Sequence, residues 1–248
     1  MAKRLLDIIL SVLVLVLASP LLLAMMLLIW AGDGASPLYR GLRVGRGGRE
    51  FAMLKLRSMV VDAEQKGGTS TAGSDGRLTR LGRRLRQWKL DELPQFWNVL
   101  LGQMSVVGPR PNTRRGGVEL YTEEEMRLLS VRPGITDLSS IVFSDEGEIL
   151  DGAADPDALY DAVIRPWKSQ LGLLYIDNAS LSLDLRIVGL TALALVSRPA
   201  ALRRVVGILQ HLRADPTLVD VCRRAGPLPA GSPPTHAPRE QARCGSIC

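Results

Sequence analysis

The chain has 248 residues and a formal net charge of +6 at pH 7, from 31 Lys and Arg against 25 Asp and Glu, a length that suits one or two domains. Aromatic residues make up only 4% of it, and much of its 46% hydrophobic content lies in one N-terminal run, which excludes a large soluble sandwich or barrel. The cysteines (Cys222, Cys244, Cys248) and histidines (His211, His236) all fall in the last fifth, so chemistry in the body runs on carboxylates, Arg, Lys and hydroxyls, with a hard cation such as Mg²⁺ if a metal is used.

From Ile8 to Ala31 the run is interrupted only by Ser11, Ser19 and Pro20, and about 24 apolar residues are enough to enter or cross a bilayer. Positive charge flanks both ends, with Lys3 and Arg4 before and Arg40, Arg43, Arg46 and Arg49 after, whereas a spanning helix carries its basic residues mainly on one side. Proline at position 20 deletes a bond to the Val16 carbonyl, and the Ser19 hydroxyl can help re-satisfy the freed group. The expectation is a re-entrant helix-break-helix with its break at Ser19 and Pro20, entering and leaving on the cytoplasmic face. A kinked spanning helix and a buried soluble helix remain the alternatives.

Beyond a turn at Gly32 to Ser36, Leu38–Val44 and Glu50–Leu56 read as a β-hairpin joined through Gly45-Arg46-Gly47-Gly48. Residues 67–76 carry no large apolar side chain and read as a mobile loop. From Arg77 to Lys89, Leu78, Leu81, Leu85 and Trp88 recur at helical spacing among Arg77, Arg80, Arg83, Arg84, Arg86 and Lys89, which predicts a basic amphipathic helix facing headgroups or phosphates, or else a solvated face. Helical patterning returns at 119–129, at 157–175 and at 185–212, where Pro199 breaks it and where a second interfacial helix is expected. Pro227, Pro229, Pro233, Pro234 and Pro238 lie among small and polar residues, and 213–248 is expected to be a disordered tail. This divides the chain into an anchor (1–34), a cytoplasmic catalytic domain with interfacial helices (35–212) and the tail. The fold class is mainly α with a small β-hairpin (α+β).

Leu90-Asp91-Glu92-Leu93-Pro94-Gln95 is the most informative stretch. Proline is tolerated only in a helix's first turn, so Pro94 puts Asp91 and Glu92 at a helix N-terminus. Adjacent helical side chains diverge by about 100°, which gives the two acids separate tasks; a plain N-cap and first-turn acid is the other reading. Arg110 stands between Pro109 and Pro111, presented with little entropy left to lose, as suits a phosphate contact. Lys55 and Arg57 lie two apart on a strand and so share a face. Arg132 sits in a second rigid turn, Arg132-Pro133-Gly134.

Taken in order, Lys3-Arg4, Ser19-Pro20, Arg43-Val44-Gly45, Lys55-Leu56-Arg57-Ser58-Met59, Leu90 to Gln95 with Trp97-Asn98, Gly108-Pro109-Arg110-Pro111 and Val131 to Thr136 resemble the small monotopic polyprenyl-phosphate phosphoglycosyl transferases, the bacterial sugar transferases, across about residues 3–195. The resemblance implies sugar-1-phosphate transfer from a UDP-sugar to undecaprenyl phosphate, with UMP released and an aspartyl phosphosugar formed on the way. Asp91 would be the nucleophile and Glu92 its acidic partner. Mg²⁺ would be the cofactor, with Asp91 as a ligand, and Lys55, Arg57, Arg86, Arg110 and Arg132 would be phosphate contacts. It further implies an inner-membrane location, membrane lipids as partners, and downstream glycosyltransferases in capsule, exopolysaccharide or glycoconjugate assembly. After Thr136 many family members read Gly-Leu-Ala-Gln, whereas this chain reads Asp137-Leu138-Ser139-Ser140. The competing reading is a non-catalytic membrane-anchored basic module that binds anionic lipid; nucleic acid is not expected, because aromatic stacking residues are scarce.

Overall fold

The computed structural model describes residues 2–63 and 75–234. It is mainly helical with two small two-stranded sheets, in keeping with the α+β expectation. The expected loop at 67–76 lies, up to residue 74, outside the described residues.

The apolar run forms α1 (Ala2–Asp33), long and apolar enough by length and composition to cross a membrane. The expected break is corrected here, because helical backbone continues through Ser19 and Pro20. Pro20 has no N–H to offer the Val16 carbonyl, and the Ser19 hydroxyl donates to that carbonyl instead at 2.8 Å, so one substituted bond preserves the helix.

The hairpin has the expected bounds: β1 (Leu38–Val44) pairs antiparallel with β2 (Glu50–Leu56). The basic helix is shorter than the pattern predicted, α2 (Arg80–Gln87), because Thr79 caps its N-terminus by accepting from the Gly82 N–H at 2.9 Å. Leu85 faces inward and, with Leu56 and Ile29, forms a small core joined by Leu22, Met25 and Met26 of α1. The apolar face of α2 therefore packs on α1 and the hairpin.

After α3 (Gln95–Leu100) come β3 (Ser105–Val107) and β4 (Gly134–Thr136), a parallel pair joining segments far apart in sequence. Strands this short carry no readable periodicity. The remaining helices are α4 (Leu138–Val142), α5 (Glu146–Ile149), α6 (Pro156–Leu159), a π-helical turn (Tyr160–Ile164), α7 (Arg165–Asp177), α8 (Leu181–Val196) and α9 (Arg198–His211). The main core gathers Val99, Met104, Leu138, Ile141, Leu171, Ile187 and Leu209 from these elements.

The tail expectation is corrected over 213–234. Helix α10 (Pro216–Arg223) buries Leu218, Val219, Val221 and Cys222, and the following strap is tied down by backbone: Trp167 Nε1 donates to the Pro229 carbonyl at 3.1 Å, Gly231 N to Ala162 O at 2.9 Å and Thr122 Oγ1 to Pro234 O at 2.7 Å. Proline-rich composition signalled absence of helix, which is correct for the strap, but buried apolar residues and backbone bonds order it nonetheless. Residues 235–248 lie outside the described residues.

Both halves of α1 rest on this one body. At its start, Lys3 Nζ reaches Asp184 Oδ2 at 2.7 Å and the Val107 carbonyl at 3.0 Å, Arg4 donates to the Val99 and Leu100 carbonyls at the C-terminus of α3 at 2.6 and 3.0 Å, and Asp7 accepts from Ser105 Oγ and Val106 N at 3.0 Å. Toward its end, Ile29 is buried against Leu56 and Leu85. Between these contacts Ile9, Leu13, Val16, Leu17 and Leu23 are exposed, a stripe of apolar surface that water disfavours.

Candidate active site

The acidic pair sits in a turn of its own. Lys89, with φ of 56°, turns the chain out of α2, a 3-10 turn spans Leu90–Glu92, and Pro94 with φ of −62° leads into α3. This corrects the expectation that the acids occupy the first turn of Pro94's helix, and neither acid caps it. Pro94 initiates α3, as its fixed φ favours, while the acids precede it.

The two carboxylates have different surroundings. Glu92 is gripped by Arg110, with Nη2–Oε1 at 2.5 Å and Nη1–Oε2 at 2.9 Å, and by Lys55 Nζ at 3.1 Å from Oε1. Burial alone would raise its pKa, but Arg110 and Lys55 outweigh that and hold it well below the usual carboxylate range. Asp91 is 3% exposed, and its carboxylate makes no hydrogen bond or ion pair with any described residue. Burial pushes its pKa up, with Lys55 opposing and Glu92 reinforcing the rise. One acid is thus held by two cations, while the other has no hydrogen-bond partner among the described residues.

Arg110 is delivered by a close approach of two backbones. Gly108 N donates to Thr136 O at 3.1 Å and Gly134 N to Pro109 O at 2.9 Å, and a Cβ on Gly134 would lie 2.2 Å from the Gly108 nitrogen. Only glycine fits there. The Gly-Pro-Arg-Pro and Arg-Pro-Gly turns thus join to carry Arg110 to Glu92. Gly82 does the same for α2, since a Cβ there would lie 1.8 Å from the Ser58 carbonyl oxygen. This seating lets Arg86 Nε donate to Ser58 Oγ at 2.9 Å.

Lys55, Arg86, Asp91, Glu92 and Arg110 line one cavity of about 740 Å³, of a size that takes a nucleotide-like ligand. Two predicted contacts do not join them. The strand β2 ends at Leu56, and Arg57 forms a bidentate pair with Asp33 at 2.5 and 2.6 Å. Arg132 donates to the Gly102 carbonyl at 2.8 Å, bracing the turn it belongs to. The cavity also takes in Lys89, which the sequence placed at the end of the basic helix, and Tyr160, Lys168 and Glu146, which pattern did not single out, the last two ion-paired. Those three come from segments well downstream of the acids, with no shared motif to link them. Asp137, Ser139 and Ser140, where the chain departs from the family pattern, also line the wall, with Asp137 capping α4 through Ser140 N at 2.7 Å.

Among the described residues no three acidic, His or Cys side chains cluster as a metal cage. The free Asp91 carboxylate at the cavity nonetheless fits Mg²⁺, which is commonly held by one or two carboxylates together with substrate phosphates.

The ordered motifs, the carboxylate dyad and its cationic surround define a class, and sequence comparison agrees: a profile of the bacterial sugar transferases matches residues 1–198. The chain belongs to the bacterial sugar transferase family. It is 39% identical over 189 residues to a UDP-N-acetylgalactosamine-undecaprenyl-phosphate N-acetylgalactosaminephosphotransferase of Aeromonas hydrophila, covering 75% of this chain and 41% of that one. It is 37% identical over 191 residues to a UDP-glucose:undecaprenyl-phosphate glucose-1-phosphate transferase of Klebsiella pneumoniae, covering 76% and 39%. An uncharacterized sugar transferase of Bacillus subtilis is 33% identical over 189 residues, 76% of this chain and 84% of that one. The chain thus matches about 40% of the length of the first two relatives.

Proposed function

We propose that the protein moves a sugar-1-phosphate from a UDP-sugar to undecaprenyl phosphate through a covalent intermediate on Asp91. The observation that carries this reading is the buried Asp91 carboxylate, unpartnered among the described residues, beside a Glu92 already neutralised by Arg110 and Lys55. A carboxylate largely withdrawn from water, opening only on the cavity and without a partner, is costly, and a nucleophile is a use that accounts for the cost. A lipid-binding basic module would have no need of it.

An Asp91 oxygen attacks the sugar-bearing phosphorus, the phosphoanhydride bond to UMP breaks, and UMP leaves with the electron pair. A phosphate oxygen of undecaprenyl phosphate then attacks the same phosphorus and releases the Asp91 carboxylate. One anhydride is exchanged for another, so catalysis rests on positioning and charge neutralisation. Glu92 acts through its grip on Arg110 and Lys55, fixing two cations beside the reacting groups. Mg²⁺, held by Asp91 together with substrate phosphates, would supply further neutralisation of diphosphate charge.

The membrane reading is a re-entrant α1 on the cytoplasmic face of the inner membrane. Its support is that Asp7 and Ile29, about 33 Å apart along a helix, both contact one globular body. A helix crossing the bilayer upright would set those contacts on opposite sides.

The test is full-length protein with undecaprenyl phosphate, Mg²⁺ and a panel of UDP-sugars, scored by UMP release. Asp91→Asn should lower turnover by about 10⁴-fold or more and abolish protein labelling from a donor carrying radioactive sugar phosphate. A near-normal rate in that variant overturns the covalent scheme.

A further inference from the structure

The turn that carries Asp91 also holds a cation without a partner. Helix α2 ends at Gln87 with Trp88 as its cap, and Lys89 follows in the left-handed conformation with φ of 56°. Glycine is the usual residue just past a helix, because it has no Cβ to crowd in that conformation. Lysine brings the backbone no advantage over glycine there, so what the position gains is the side chain. That side chain is exposed, lines the same cavity as Asp91 and makes no hydrogen bond or ion pair with any described residue.

Charge balance gives it a task. The cations acting on Asp91 are Lys55, Arg86 and Lys89, and Lys55 is taken up by Glu92. Glu92 is bridged by two cations, Arg110 and Lys55, so with Arg86 set against an ionised Asp91 these five groups carry a net charge of only +1 toward a phosphate that must approach a carboxylate. Lys89 raises that local balance to +2.

We propose that Lys89 is a phosphate-binding residue, its ammonium group contacting a substrate phosphate seated against Asp91. The inference rests on the transferase reading for the substrate's identity but not for the ligand's chemistry, which is a phosphate group of either the donor diphosphate or the lipid acceptor.

The variants Lys89→Gly and Lys89→Asn both accept left-handed backbone, so they remove the charge while preserving the turn, and Lys89→Arg keeps the charge. With full-length protein in detergent, calorimetric titration with UMP and with inorganic pyrophosphate should show affinity falling about ten- to a hundredfold in Lys89→Gly and Lys89→Asn, the loss of one charge-assisted contact. Lys89→Arg should stay within about threefold of wild type on the same scale, and melting temperatures should not fall. In turnover assays, a raised KM for the UDP-sugar assigns the contact to the donor diphosphate, and a raised KM for undecaprenyl phosphate assigns it to the acceptor. If Lys89→Gly and Lys89→Asn bind both anions and turn over like wild type, the proposal fails. Absence of turnover by wild-type protein on every donor would sink the transferase reading instead, while the pyrophosphate titration would still decide on Lys89.

Discussion

Asp91 and Glu92 are adjacent in the chain but are coupled to pH with opposite sign. The Asp91 pKa is raised, chiefly by burial, so the native state holds that proton more tightly than the unfolded chain does. Its ionisation therefore costs stability as pH rises through the window between the ordinary carboxylate value and the raised one. Asp91→Asn removes that cost, and differential scanning fluorimetry at pH 7 should find the inactive variant melting higher, by about 2–4 °C for each 1 kcal/mol relieved in a domain of this size. The acid limb of wild-type activity should correspondingly lie above the usual carboxylate range. Glu92 is the reverse case: its depressed pKa gives stability that is present above the ordinary carboxylate range and drains away as pH falls. Glu92→Gln should cost about 2 kcal/mol in urea unfolding at pH 7, less than for a fully buried pair because both partners keep some exposure, and should flatten that acid dependence. The Asp-Glu motif and its cations were legible in the sequence because residue type announces charge. Which cation serves which acid was not: Lys55 and Arg57 are two residues apart, yet one meets Glu92 and the other Asp33.

At the level of elements, the site depends on turns that are individually ordinary. The hairpin was readable from alternating runs and its glycine-rich connection, and the basic helix from its leucine spacing. The pair β3 and β4 was not, since three-residue strands hold too few positions for alternation to register. Their junction nevertheless aims Arg110, through the contact of Gly108 with Gly134. Gly134→Ala drives a methyl into backbone that cannot move aside, and should destabilise by about 3 kcal/mol, the upper end of overpacking costs, with loss of turnover as Arg110 leaves Glu92. Chemical denaturation together with the UMP-release assay checks both effects. Proline 20 gives a parallel lesson: the sequence signalled a disruption in α1, and the Ser19 hydroxyl confined it to one hydrogen bond.

At the level of the whole molecule, α1 and the body form one unit, since Lys3, Arg4 and Asp7 bond to β3, α3 and α8 while Ile29 packs beside α2. With Cys222 replaced by Ala and Cys244 and Cys248 by Ser, single cysteines at Ala2 and Ser36 should both resist an impermeant thiol reagent in intact cells and both react once the inner membrane is opened. Labelling of the residue-2 site from outside would overturn the re-entrant arrangement. The amino-acid sequence by itself determined the long apolar N-terminal helix, the hairpin and the identity of the acidic pair, because hydrophobicity, alternation and charge are properties of local composition. Only the tertiary structure decided that Glu92 is held by Arg110 and Lys55, that Arg57 and Arg132 stay outside the cavity, and that residues 213–234 are ordered. These outcomes depend on backbone approaches and burial between distant segments, where free energy is set by which surfaces meet and not by what either segment contains.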